Sequence, residues 1–256
     1  MNKQFSYQPC FETSANFLSR MFFVWSHEII KRGNQQHLEM NDLSDLRDKE
    51  EPPENYNAFS QIYYAIDKAK KNKLMRAFWD HIGWIFLGSG ILAILSNLLQ
   101  FSGPLMISRI LDFLNADDDT REPLSSGITY VCILIGCYLL RTVIFGHSMH
   151  YVNRATIKVM NSANSLVFHK ILNLSSASRK YLNTGSIMTH INVDIMSFYY
   201  FIMMSTFLFS APAMIITAIV LLIMEVGWIG LVAPGMFALG MIAQNKITTK
   251  GFALRK

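Results

Sequence analysis

Residues 198–224 run for 27 positions without a charged side chain. As a helix at about 1.5 Å per residue, that length exceeds a hydrocarbon core of roughly 30 Å. Backbone in lipid must satisfy its own hydrogen bonds, so a stretch of this kind is predicted to cross a bilayer as a helix. Three further stretches behave alike. Residues 82–101 and 226–245 carry no charge, and residues 128–152 carry only Arg141. The single charge between the last two stretches, Glu225, predicts a tight hairpin there. The expected fold class is therefore an all-α membrane protein with four spans, at 82–101, 128–152, 198–224 and 226–245.

Composition agrees: 51% of the residues are hydrophobic and only 16% charged, with the charges gathered between the spans. A formal net charge of +5 in a soluble chain would raise nucleic acid as a partner. Here the basic residues flank apolar stretches, so the bilayer accounts for them and no nucleic-acid partner is expected. The loop 102–127 holds two Lys/Arg against five acids, the connection 153–197 five against one, and the tail 246–256 four against none. Positive residues favour the cytoplasmic side. Both termini and the middle connection are thus expected in the cytoplasm, in the plasma membrane or an endomembrane, and the acidic loop outside. That topology hides the one N-x-S/T sequon, at Asn173, from glycosylation.

Residues 1–76 read as a cytoplasmic N-terminal segment, ahead of a membrane domain over 77–256. Within this segment FLSRMFFVW (17–25) is too short to span and is flanked by Arg20, Lys31 and Arg32. It is predicted as an amphipathic helix lying in the membrane interface. EEPPEN (50–55) is predicted as a turn or linker, because prolines cannot continue a helix.

Sites of chemistry are scarce. The cysteines Cys10, Cys132 and Cys137 form no C-x-x-C pair, so neither a disulfide framework nor a zinc site is expected. His147 and His150 could share a helix face, but no acid or cysteine lies near them in sequence, and no metal is expected. No G-x-x-x-x-G-K-[ST] occurs, so no residue here is expected to cradle a nucleotide phosphate, and neither catalytic nor cofactor-binding residues are assigned. Arg141 stands out instead. It lies about 20 Å along the second span at helical rise, where a charge faces a cavity or a partner. It is a candidate for a substrate path, with pairing to an acid or snorkelling as the structural alternative.

The order of these features resembles the first membrane domain of ABC exporters, in particular the multidrug-resistance-associated (ABCC) subfamily. FLSRMFFVW with IIKRG (29–33) and LEMNDLSDL (38–46) is similar to that family's N-terminal segment. Phe101, Pro104 and ILDFL (110–114) look like the end of its first span. LSSASRKYLNTGSIMTHINVD (174–194) is similar to its first intracellular loop, and FSAP (209–212) to part of its third span. Ser186, Glu28 and Ile242 stand where the family commonly has other residues.

The resemblance implies a fragment of the type 1 exporter fold, with helices extending far into the cytosol and a coupling helix at 184–194. Thr184, Gly185, Ile187, Ile191 and Asp194 would meet a nucleotide-binding domain. The four-residue steps of Ile187, Ile191 and Ile195 would form one apolar stripe on a helix. ATP and Mg would sit on that domain rather than on this chain, and the partners would be the bilayer, the remaining spans and an organic anion substrate. The implied function is the membrane part of an ATP-driven exporter. The alternatives are a non-transporting interaction or regulatory protein, or an incomplete gene product.

Overall fold

The computed structural model describes residues 10–39, 42–44, 46–47, 50–66, 72–116, 123–173, 185, 189 and 193–254. Among them the secondary structure is helical. The N-terminal segment holds three short helices, α1 (Phe11–Ser14), α2 (Phe17–Met21) and α3 (His27–Gln35). Then come α4 (Pro52–Ala65), α5 (Lys73–Gln100), α6 (Ser102–Asn115), α7 (Leu124–Leu172), α8 (Ile195–Val226) and α9 (Val232–Leu254). Three continuous runs are long and apolar enough to cross a membrane: Lys73–Asn115, Leu124–Leu172 and Ile195–Thr248.

Inside the third run the chain reverses. A 3-10 turn over Gly227–Leu231 separates α8 from α9, and Gly227 takes φ of +72°, a conformation open to glycine at little cost. A Cβ at Gly230 would come within 3.1 Å of the Leu222 carbonyl oxygen. Eight residues along a straight helix are separated by about 12 Å, so the contact marks a hairpin. The turn begins two residues beyond Glu225, the penultimate residue of α8. The first run has a break of its own: α5 ends at Gln100 and α6 restarts at Ser102, with Pro104 in its first turn. A proline lacks only an amide that the first turn leaves unbonded anyway.

Two N-terminal expectations change. FLSRMFFVW is not one helix. Phe23 takes the left-handed conformation (φ 57°), which ends α2 and turns the chain into a 3-10 turn at Val24–Ser26. Nor is EEPPEN a linker. Pro52 and Pro53 begin α4, where fixed φ and a missing amide favour the first turn.

The chain divides into two compact units. The first comprises residues 1–93 and 139–207, and its core joins α4, α5 and α7. Phe59, Ala77, Phe78, Ile82, Ala155 and Val159 are buried together, and the Phe59 and Phe78 rings stack at 4.9 Å. Small residues let the backbones approach: buried Ser148 on α7 donates to the Ser89 carbonyl on α5 at 2.8 Å. The second unit comprises residues 94–138 and 208–256. There α6 meets the start of α7, where a Cβ at Gly127 would overlap the Phe113 ring.

The most apolar part of α7 has no fully buried residue within this chain, and that of the third run almost none, whereas the buried core lies beside the polar half of α7. Lipid tails are as apolar as leucine, so exposed spans do not by themselves drive collapse. Truncating the fully buried Phe59 removes the centre of the core. Phe59→Ala is expected to cost about 3–5 kcal/mol. Thermal unfolding of the chain in nanodiscs would measure this, against near-neutral Tyr64→Ser on the exposed face of the same helix.

Candidate functional site

The polar half of α7 carries two layers of contacts that fix it to the N-terminal third of the chain. The inner layer centres on Asn55, which is only 2% exposed. Its amide nitrogen donates to the Lys158 carbonyl at 2.9 Å and to Ser162 Oγ at 3.0 Å. Its carbonyl oxygen lies 2.8 Å from His81 Nε2. One side chain on α4 therefore joins α5 and α7. A buried amide costs several kcal/mol when unsatisfied, so this geometry fixes the register of the three helices.

The outer layer is ionic. Glu12, in α1, places Oε1 2.9 Å from Arg47 Nη2, 3.3 Å from His150 Nε2 and 3.7 Å from Arg154 Nη1. Glu50 accepts from Arg154 Nε at 2.7 Å, and Arg154 Nη2 closes on the same oxygen. All five side chains are less than a third exposed, which screens these pairs less than surface pairs. Arg20 completes the corner by donating to the carbonyls of Glu12 at 2.9 Å and Thr13 at 2.6 Å.

Aromatic packing fills the gap beside the charges. The left-handed turn at Phe23 lays its ring 4.8 Å from the His147 ring. The ring approaches so closely that a Cβ at Gly146 would lie 3.2 Å from it. His147 Nε2 lies 3.0 Å from the Met21 carbonyl, which can only accept, so this nitrogen carries the proton. Phe23 and Trp25 are half-buried against α7, whereas Phe17, Leu18, Phe22 and Val24 remain exposed. The aromatic segment thus has one face on the protein and one apolar face outward.

Of the sequence-predicted coupling residues, Thr184, Ile187 and Ile191 lie outside the described residues. Gly185 is exposed, and its carbonyl accepts from Thr189 Oγ1 at 2.9 Å. Asp194 is exposed one residue before α8, and the neighbouring Ile195 is buried. The structure does not bring Arg141 together with these residues in any contact described; it is half-buried on α7. His147 and His150 are engaged by the N-terminal segment. Sequence reasoning missed Asn55, Glu12, Arg47 and Glu50. The one available signal was the spacing of Phe59, Ile62, Tyr63 and Ile66 after the proline pair, which marks a helix with one apolar face.

Long apolar helices, one far longer than a bilayer needs and braced at its polar end, define a multi-span membrane domain. The family of ABC transporter transmembrane regions matches residues 85–252, and the chain belongs to it. Curated relatives that it resembles carry C-subfamily names. It is 27% identical to ABC transporter C family member 1 of Dictyostelium discoideum over 90% of this chain and 17% of that protein. It is 24% identical to human ATP-binding cassette sub-family C member 3, over 86% of this chain and 16% of that protein. Human sub-family C member 4 is also 24% identical, over 83% and 16%. The chain therefore spans about a sixth of the length of the curated relatives it matches.

The ionic layer can be tested without knowing a substrate. Arg154→Gln leaves Glu12 and Glu50 facing each other with one fewer cation. Limited trypsin digestion is expected to cut at Arg47 at least fivefold faster in this variant, a loss of about 1 kcal/mol of docking. Cutting at the remaining α7 sites Lys158 and Lys170 should be unchanged.

Proposed function

We propose that this chain supplies four membrane spans of an ATP-driven exporter of organic anions or conjugates, at 82–101, 128–152, 198–224 and 226–245. Both termini face the cytoplasm. The reading rests chiefly on the family match across residues 85–252. It is supported by the length of α7, whose 49 residues extend some 20 beyond a bilayer-crossing helix. That excess carries the helix toward residues 184–194, which would dock on a nucleotide-binding domain through Ile187 and Ile191. Alternating access then follows from motion passed through the docked segment into α7 and α8. The residues here do not fit a nucleotide phosphate, so ATP and Mg would belong to the nucleotide-binding domains and no hydrolytic step falls on this chain.

Two experiments test the reading in a complete transporter containing this sequence. Ile187→Asp with Ile191→Asp is expected to abolish substrate-stimulated ATP hydrolysis while basal hydrolysis remains within about twofold, since an apolar docking stripe cannot bury two carboxylates. Unchanged stimulation would reject the docking role. Arg141 serves the substrate side of the proposal. Arg141→Ala is expected to raise the KM for an anionic conjugate about tenfold, the worth of one charge-assisted contact, and to leave neutral substrates alone. Equal loss for both substrate types would assign Arg141 to structure.

A further inference from the structure

Beside the last turns of α7 lies a cavity. Within the first unit, α4, the first turn of α5 and residues 166–173 form a cavity of about 560 Å³. Cavities of roughly 300–1,000 Å³ suit small organic ligands. Its walls include Tyr56, Tyr63, Tyr64, Leu166, His169 and Lys170. These positions lie outside the uncharged stretches 82–101 and 128–152.

The aromatic groups are arranged as flat walls. The Tyr56 ring stacks on the His169 imidazole at 4.6 Å with the planes 12° apart. Tyr63 and Tyr64 meet edge to face at 5.4 Å, and Tyr64 is 66% exposed. An exposed tyrosine beside a cavity offers a ring face to a ligand at little conformational cost. Among the described lining residues the formal charge comes from Lys170. Lys170 lines the cavity, and Lys73 holds Nζ 4.5 Å over the Tyr63 ring. Among the described residues no carboxylate lines it.

These features select a ligand class. A cation would meet the lysines and find no counter-charge. A bare inorganic anion would leave the ring walls unused. A neutral arene would leave the Lys170 ammonium without a partner. We propose that this cavity binds a planar aromatic anion, a carboxylate or sulfonate, with its ring against the tyrosines and its acid group on Lys170. The bound ligand bridges α4 and the end of α7, so it fastens the helix that leads toward residues 184–194. Binding needs neither ATP nor transport, so its test is independent of the exporter reading.

The probe is naphthalene-2-sulfonate, a soluble fluorescent arene. It would be titrated by fluorescence anisotropy against the chain in nanodiscs of zwitterionic lipid. The expected result is saturable one-to-one binding. Lys170→Gln and Tyr64→Ser should each weaken it about tenfold. Both residues are exposed, and circular dichroism checks that the variants keep the fold. Neutral 2-naphthol should bind wild type as weakly as the sulfonate binds Lys170→Gln. Hydrogen exchange at residues 166–173 should slow with the sulfonate in wild type alone. Binding that does not saturate, or equal affinity for wild type and Lys170→Gln, would overturn the proposal. Competition by inorganic sulfate at the concentration of naphthalene-2-sulfonate would also overturn it, by reducing the site to a simple anion patch.

Discussion

A bilayer offers no hydrogen-bond partner to a peptide group, and this constraint organises the chain. It forces the apolar stretches into helices. It does not tell those helices how to pack, because lipid competes with every apolar contact. Specific packing therefore concentrates where water is present and polar groups can discriminate. Asn55 illustrates the shift. Its amide meets three partners on two other helices, and the Phe59 core sits one turn further along α4.

The apolar runs were legible in the sequence because a missing charge over 20 or more residues has few other causes. Glu225 lies beside the 3-10 turn that separates α8 from α9, where the residue at positive φ is Gly227. The N-terminal third was read less well. The Pro52-Pro53 pair signals both a break and a helix start, and only the following apolar spacing separates the two. Phe23 in a left-handed conformation has no local signal, since its rotation is stabilised by contact with His147 and Gly146 more than a hundred residues away. The pairing of Glu12 and Glu50 with Arg154 was hidden for the same reason: charge counts locate cations but do not choose their partners.

The candidate site is mechanical rather than chemical. Two layers hold α7, one through hydrogen bonds that demand exact register and one through charges that tolerate small displacements. On the outward face of the N-terminal segment Phe17, Leu18, Phe22 and Val24 are exposed.

The span between the paired charges also orders events during synthesis. Glu50 and Arg154 are 104 residues apart, so the acid leaves the ribosome well before its partner exists. At about 5–20 residues per second the delay is some 5–20 s. Throughout that interval the aromatic segment has no protein surface to cover Phe23 and Trp25. The nascent chain must leave them at the lipid interface or in the care of a chaperone, and it is complete in this region only once α7 has been made.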